Sequence, residues 1–156
     1  MPEASNKNGF VIGVDLGGTK IFAGVFNPAL ECVATTKVST KAQRGTDAVI
    51  ERIVRSVQDV ADEADLDLKQ IGAVGIGAPG AVDGDSGTVI FAPNLPGWKD
   101  VPLKKELEKH LGVPVVVEND ANVAVVGVHE AELNGKPRSV VGIFVGKYVF
   151  KMHPGI

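Results

Sequence analysis

The sequence predicts an α/β domain in which a mixed sheet is flanked by helices, in the order β-β-β-α-β-α-β-α-β. Strand-like segments joined by tight turns open the chain, and strands alternate with helical segments after them. The composition agrees, because 44% of the residues are hydrophobic and only 5% are aromatic, while glycines number 19. This balance is typical of aliphatic strands and tight turns around a core.

The three opening segments are FVIGVD (10–15), KIFAGVF (20–26) and ECVATTKVS (31–39), and they are rich in β-branched and aromatic residues. Only short connections separate them, and Asn27 with Pro28 is ordinary turn chemistry. Neighbouring strands joined by short turns pair antiparallel. These segments therefore predict an antiparallel meander.

Residues 47–64 form the clearest amphipathic helix of the chain. Its apolar residues recur every three or four positions, and charged side chains fill the opposite face. Threonine is a favoured N-cap residue, so we expect Thr46 to cap this helix.

The remaining segments continue the alternation of strands and helices. In order, they predict a strand (71–80), a turn-rich loop (81–87), a short strand (88–93), a surface helix ended by Gly112 (102–112), a fully buried strand (113–119), a small-residue helix (120–135) and a last strand (139–146). The segment NLPGW (94–98) is a loop with two turn residues.

Charge and composition argue against several classes of partner. The formal net charge is −3 and no basic block stands out, so nucleic acid and anionic membranes are not expected partners. No apolar run approaches the length of about 20 residues that a membrane span needs, and residues 1–10 lack the apolar centre of an export signal. Cys32 is the only cysteine, which excludes an internal disulfide and predicts a reducing, cytoplasmic compartment.

The segment VIGVDLGGTK (11–20) places a carboxylate at the end of an apolar strand, before a turn with almost no side chains. Glycines let a ligand approach the main chain closely, and successive exposed N–H groups can hold phosphate oxygens. Thr19 adds a hydroxyl, and Asp15 can hold a magnesium ion through its waters. These residues fit a nucleotide polyphosphate with its metal. A plain hairpin, in which the glycines and Asp15 only form the turn, has equal weight.

Three other strings fail as known motifs. GIGAPG (75–80) has dinucleotide-binding spacing, but AVDGDSG follows it and cannot open the helix that this fingerprint needs. GIFVGK (142–147) is one residue short of a P-loop and continues with Tyr148 instead of Ser or Thr. His129 begins a zinc-protease-like string, but Leu133 stands where the second histidine belongs, so no zinc site is expected.

The segment VPVVVENDANVAV (113–125) places Glu118, Asn119 and Asp120 where a buried strand meets a helix. Ligands of α/β sheets bind at the carboxyl ends of strands, and Asp120 there can take a proton from a hydroxyl nucleophile. The amide of Asn119 can bind neighbouring hydroxyls. Helix-capping preference favours the alternative that Asp120 only caps the helix.

Four of these segments occur in the order found in a known family. They are VDLGGTK (14–20), GIGAPGAVD (75–83), APNLPGW (92–98) and VENDANVAVVGVHEA (117–131). Together they resemble the ROK family of sugar kinases and sugar-responsive repressors, and its glucokinase branch most of all. The resemblance runs from Phe10 to Gly146. It implies the actin-like, ribonuclease-H-like ATPase fold.

The resemblance also implies roles for single residues. The residues that match the family's phosphate- and metal-binding segment are Asp15, Gly17, Gly18, Thr19 and Lys20. The residues that match its sugar pocket are Gly80, Asn94, Asn119 and Asp120. Asp120 matches the catalytic base and Asp15 the water-mediated magnesium ligand, whereas Lys20 suits pairing within the hairpin equally well. Trp98 is expected to pack at the base of its loop, and Glu118 to be structural and turned from the sugar.

The resemblance stops after Gly146, where the family continues with a glycine-rich loop and a second lobe. We therefore divide the chain into an N-terminal lobe (1–137) and the truncated first strand of a second lobe (138–156), which diverges after Gly146. One lobe supplies one wall of a two-lobed cleft. We expect the chain alone to be a weak kinase or an inactive one.

The function that the resemblance implies is phosphorylation of a hexose such as glucose, with ATP and Mg²⁺ as cofactors. A sugar hydroxyl, deprotonated by Asp120, attacks the γ-phosphate near Asp15, which requires that both residues open onto one hollow. A non-catalytic sugar-binding or regulatory lobe is the alternative. A phosphate donor such as polyphosphate stays open, and the exposed apolar face of a half-cleft favours a homo-oligomer.

Overall fold

The computed structural model describes residues 9–133, 136 and 139–142, which contain eight strands and three α-helices. The strands are β1 (Phe10–Leu16), β2 (Lys20–Phe26), β3 (Cys32–Ser39), β4 (Ile71–Ala78), β5 (Ala81–Asp83), β6 (Thr88–Phe91), β7 (Lys99–Val101) and β8 (Val115–Asn119). The helices are α1 (Thr46–Glu63), α2 (Leu103–Leu111) and α3 (Asp120–Ala131). Short 3₁₀ turns at Ala42–Arg44 and Leu68–Gln70 flank α1.

Five strands form the main sheet, in the order β3-β2-β1-β4-β8. Strands β1, β2 and β3 pair antiparallel, which confirms the predicted meander. Strands β4 and β8 run parallel to β1, and each is reached after a helix, so the sheet is mixed and the α/β class is confirmed. Because β1, β4 and β8 are parallel, their carboxyl ends meet at one edge of the sheet.

A second, three-stranded sheet has the order β5-β6-β7. The prediction of a loop over residues 81–87 is wrong for its first part, because β5 pairs antiparallel with β6. Strand β7 has no counterpart in the sequence prediction. Val89 of β6 is buried and pairs with Val82 on one side and Val101 on the other. Strands this short show no alternating pattern in the sequence.

One face of the main sheet is buried under α1 and α2, and this layer is the core. Its side chains follow the strand period of two and the helical spacing of three to four. They include Ile12, Val14 and Leu16 of β1, Val49, Ile53 and Val57 of α1, and Leu103, Leu107 and Leu111 of α2. The predicted amphipathic face of α1 is therefore confirmed, and α2, predicted only as a surface helix, also buries one face.

The opposite face of the main sheet forms an open groove of about 760 Å³. Three glycines lie side by side on its floor, because Gly13 pairs with Gly24 of β2 and with Gly75 of β4. Side chains of α3, among them Ala121 and Val123, line the same groove. The sheet is thus covered on one side and open on the other.

Strand β8 has one buried and one exposed face, which corrects the prediction of a fully buried strand. Val115 and Val117 lie in the core, whereas Val116 between them is 57% exposed and lines the groove. The run VPVVV resembles a doubly covered strand because every residue in it is apolar. Helix α3 lines the groove without covering Val116.

The ends of two helices differ from prediction. Helix α1 begins at Thr46 itself, with Gly45 (φ 93°) in the N-cap position, so Thr46 does not cap the helix. The Thr46 hydroxyl instead donates to the carbonyl oxygen of Gly97 at 3.5 Å. Helix α3 ends at Ala131, before the predicted end at 135, and residues 134–135 lie outside the described residues. No helix in the described part of the chain is long and apolar enough to cross a membrane.

The predicted last strand falls largely outside the described residues. Residues 139–142 belong to neither a helix nor a strand, and residues 143–146 are not described. The division of the chain after residue 137 and the divergent tail therefore stay predictions.

We expect Val117→Ala to lower the free energy of unfolding by about 2 kcal/mol, because the lost methyl groups leave a cavity in the core. Val116→Ala is the matched control on the same strand and should cost about 0.5 kcal/mol or less, since Val116 faces the groove. Urea unfolding followed by circular dichroism measures the difference. Equal losses would contradict the one-sided burial of β8.

Candidate functional site

Three strands bring acidic and glycine positions into one row at the carboxyl edge of the main sheet. Asp15 of β1 pairs with Gly77 of β4, and Gly77 pairs with Glu118 of β8. Residues paired across neighbouring strands point to the same face of the sheet. Asp120 follows as the first residue of α3. All four residues line the open groove.

Asp15 and Asp120 lie close enough for their charges to interact. Partial burial raises the pKa of Asp15 above its ordinary value of 3.8, and the negative charge of Asp120 raises it further. Two carboxylates that repel each other favour a cation or a hydrogen-bond donor between them. Asp15 and Asp120 line the same groove, so the requirement that both residues open onto one hollow is met.

Gly77 keeps space open beside the start of α3. A methyl group on Gly77 would lie 3.4 Å from the Cα atom of Asp120. Because Gly77 also pairs with Asp15, a longer side chain there would project toward both carboxylates.

The turn between β1 and β2, residues 17–20, is called the glycine turn below. Its glycines are needed because neighbouring atoms lie close to them, and not because their dihedral angles are unusual. Neither Gly17 nor Gly18 has a positive φ. A methyl group on Gly18 would lie 2.8 Å from the carbonyl oxygen of Asn94. The N–H of Gly17 donates to the carbonyl oxygen of Lys20 at 2.9 Å, and a methyl group on Gly17 would lie 3.0 Å from that oxygen. Thr19 and Lys20 are exposed at the turn.

Asn119 ties the end of β8 to the turn after β4. Its Nδ2 donates to the carbonyl oxygen of Gly80 at 2.8 Å, and its Oδ1 accepts from the backbone N–H of Asn122 at 3.1 Å. Asn119, and not Asp120, is therefore the cap of α3, which corrects the capping alternative for Asp120. Gly80 has φ 89°, and a methyl group there would overlap the carbonyl oxygen of Phe91.

The two acidic residues at the junction of β8 and α3 have different partners. Asp120 accepts a hydrogen bond at Oδ1 from the backbone N–H of Ala121 at 2.8 Å. Glu118 accepts at Oε1 from the backbone N–H of Asn119 at 2.7 Å and from Nδ2 of Asn122 at 3.2 Å. These bonds agree with a structural role for Glu118, yet its side chain also lines the groove. Side chains alternate between the two faces of a strand, so Glu118, two residues after Val116, belongs to the groove face of β8. The sequence prediction treats the whole strand as buried and therefore misses this position.

The predicted site residues meet in three pairs, which are Asp15 with Asp120, Gly18 with Asn94, and Gly80 with Asn119. Trp98 is 2% exposed and packs at the base of the loop that holds Asn94, as predicted. The roles assigned to these residues stay predictions.

The surroundings of Asp15 fit a magnesium ion held mainly by water and phosphate. Mg²⁺ usually keeps several waters and takes only one or two carboxylates from the protein. Asp15 offers one carboxylate at the edge of the groove, near the glycine turn. Within residues 9–133, 136 and 139–142, no three His, Cys, Asp or Glu side chains are grouped as a metal cage.

Comparison with known proteins places this geometry in a family. A model of the ROK family matches residues 11–148. The chain belongs to the ROK family. Its ROK relatives include the glucokinase of Streptomyces coelicolor, which is 41% identical over 138 residues that cover 88% of this chain and 41% of that protein. The N-acetyl-D-glucosamine kinase of Photobacterium profundum is 42% identical over 135 residues that cover 86% of this chain and 42% of that protein.

A solved ROK structure has the same fold. The ROK family glucokinase from Streptomyces griseus, in complex with glucose and AMPPNP, is 43% identical with a TM-score of 0.68. The match covers 78% of this chain and 36% of that one. The predicted actin-like, ribonuclease-H-like ATPase fold is thereby confirmed. The chain spans less than half the length of these relatives.

We expect NMR titration of the carboxyl carbons to give a pKa above 3.8 for Asp15 and below 3.8 for Asp83. Burial and the charge of Asp120 disfavour ionised Asp15, whereas hydrogen bonds, above all from the Ser86 hydroxyl at 2.7 Å, favour ionised Asp83. In Asp120→Asn the pKa of Asp15 should fall toward 3.8, and that of Asp83 should not change. An unchanged pKa of Asp15 in Asp120→Asn would show that the two carboxylates do not share a site.

The raised pKa of Asp15 also predicts how stability depends on pH. The folded chain holds this proton more tightly than the unfolded chain, so the stabilising contribution is complete below pH 3.8 and is lost as the pH rises through the folded pKa. Asp15→Asn should therefore be slightly more stable than the wild type at neutral pH and lose that advantage below pH 3.8. The gain is small because solvent screens the partly exposed carboxylate. Thermal unfolding at both pH values measures it, and a less stable variant at neutral pH would refute the sign.

Proposed function

We propose that this chain forms the half of an ATP-dependent hexose kinase site that activates the sugar hydroxyl and holds the donor phosphate. The main support is the shared groove, which Asp15 and Asp120 line at the carboxyl edge of three parallel strands. Open α/β sheets bind ligands at this edge. The glycine turn begins directly after β1 ends at Leu16, so the proposed phosphate and metal groups are adjacent.

We assign Asp120 as the general base. Its Oδ1 accepts from the Ala121 N–H, and its Oδ2 accepts no hydrogen bond from the described residues. A carboxylate oxygen free in a groove can accept a hydrogen bond from a sugar hydroxyl and take its proton as the hydroxyl oxygen attacks phosphorus. We assign sugar binding to Asn119 beside Asp120, to Gly80, whose carbonyl oxygen accepts from Asn119, and to Asn94.

We assign the donor end to Asp15 and the turn from Gly17 to Lys20. Phosphoryl transfer depends mainly on positioning and charge stabilisation. The N–H of Gly18 donates to no acceptor among the described residues, so it is available to a phosphate oxygen. Mg²⁺, when Asp15 holds it through water, neutralises part of the phosphate charge. The side chains of Thr19 and Lys20 are exposed beside this amide.

The named ligands and substrates of the relatives support a hexose and ATP. The Streptomyces griseus structure holds glucose and the ATP analogue AMPPNP, and the Photobacterium relative is an N-acetyl-D-glucosamine kinase. Glucose and N-acetylglucosamine are therefore the two sugars to test. The reducing, cytoplasmic location belongs to the same proposal, supported by the free thiol of Cys32. Association of two copies of this chain through the open groove is also part of the proposal.

A non-catalytic sugar-binding lobe is the second candidate, and the kinases among the relatives favour the first. The match covers 41% of the Streptomyces coelicolor glucokinase, and the groove that the described residues line is open. A sugar bound in an open groove stays exposed to water, which weakens the electrostatic stabilisation that transfer needs.

The test measures transfer of labelled γ-phosphate from Mg²⁺·ATP to glucose and to N-acetylglucosamine by the purified chain. We expect Asp120→Asn to slow transfer by at least about 100-fold, because a positioned general base contributes that much or more. Asp59→Asn is the matched control, since Asp59 is exposed on α1, on the covered side of the sheet. It should leave the rate unchanged.

The outcomes separate the two candidates. Transfer that survives Asp120→Asn would contradict the base assignment. Sugar binding without transfer, measured by calorimetry, would support the non-catalytic lobe instead. Neither binding nor transfer with either sugar would refute both candidates.

A further inference from the structure

Thr40 and Ser56 are the two fully buried polar residues among the described residues, and Thr40 lies against the glycine turn. The Thr40 hydroxyl donates to the carbonyl oxygen of Gly17 at 2.6 Å. The backbone N–H of Thr40 donates to the carbonyl oxygen of Thr19 at 2.8 Å. The Ser56 hydroxyl bonds only within its own helix, to the carbonyl oxygen of Arg52 at 2.8 Å. Thr40 therefore holds, from the core side, a turn about 20 residues away in the chain.

The planar peptide unit converts this anchor into an orientation of the Gly18 amide. The carbonyl of Gly17 and the N–H of Gly18 belong to one trans peptide unit, so they point in opposite directions. With the carbonyl held toward the buried Thr40 hydroxyl, the N–H of Gly18 points away from the core. The Gly18 N–H donates to no acceptor among the described residues.

Thr40 is itself held in place. The chain turns directly after it, where Lys41 adopts a left-handed conformation with φ 51°. Arg52 of α1 donates through Nε to the carbonyl oxygen of Ser39 at 2.6 Å. Gly18 in turn rests against Asn94. The glycine turn is thus fixed between the end of β3 and the loop after β6.

We propose that Thr40 is a positioning residue that presets the glycine turn, so that the Gly18 amide is available to a nucleotide phosphate. The inference rests on the proposed function, and Thr40 lies outside all four segments that resemble the ROK family. Without the hydroxyl, the Gly17 carbonyl loses its donor and the peptide plane can rotate. The Gly18 amide then loses its direction while the backbone bond from Thr40 to Thr19 remains.

Titration of the ¹⁵N-labelled chain with Mg²⁺·AMPPNP, followed at the amide resonances of Gly18 and Thr19, tests this role. Thr40→Val removes the hydroxyl at nearly constant volume, and we expect the dissociation constant to rise about tenfold. Thr40→Ser keeps the hydroxyl and should stay within about twofold of the wild type. Ser56→Ala removes the other buried hydroxyl and controls for lost stability, so its affinity should not change.

The outcomes of this titration separate failure of the positioning role from failure of the proposed function. Wild-type affinity in Thr40→Val, or an equal loss in Ser56→Ala, would overturn the positioning role and leave the proposed function intact. No shift of the Gly18 and Thr19 resonances in the wild-type chain would overturn the proposed donor site and this inference with it. If Thr40→Val does not fold, Thr40→Ala takes its place with the same expected loss, because it keeps the backbone bond to Thr19.

Discussion

The parallel register of β1, β4 and β8 is the constraint on which the rest of the site depends. Side chains along a strand alternate between faces, so a slip of one residue would move Asp15 into the core and Val14 into the groove. Burial opposes such a slip, because Val14, Ile76 and Val117 fill the covered layer and are 4% exposed or less. The hydrophobic effect on one face of the sheet thus decides which residues reach the other face.

Missing side chains shape the site as much as those that are present. Gly13, Gly24 and Gly75 lie in one row and give the groove its bare floor. Gly77 leaves room beside Asp120, whereas Gly18 is needed for its contact with the loop after β6. Glycines that look alike in the sequence therefore meet different structural needs.

The small sheet explains how segments far apart in the chain contribute to one site. Strands β5, β6 and β7 form a platform that contacts β8 and α2, and Trp98 is buried at the base of its loop. From this platform Asn94 reaches the glycine turn, and Gly80 at the start of β5 reaches Asn119. The ROK segments thus converge because two sheets meet at the carboxyl edge of the main one.

The sequence by itself determined the α/β class, the opening meander and the buried face of α1, because each follows from local apolar periodicity. It also selected Asp15 and Asp120, since each sits in a contiguous motif at the end of a strand. Only the tertiary structure decided that Asn119 caps α3, that Thr46 does not cap α1, and that β8 is open on one side. It alone showed that Thr40 supports the glycine turn. These features depend on which distant residue stands opposite, and a linear pattern holds no information about that partner.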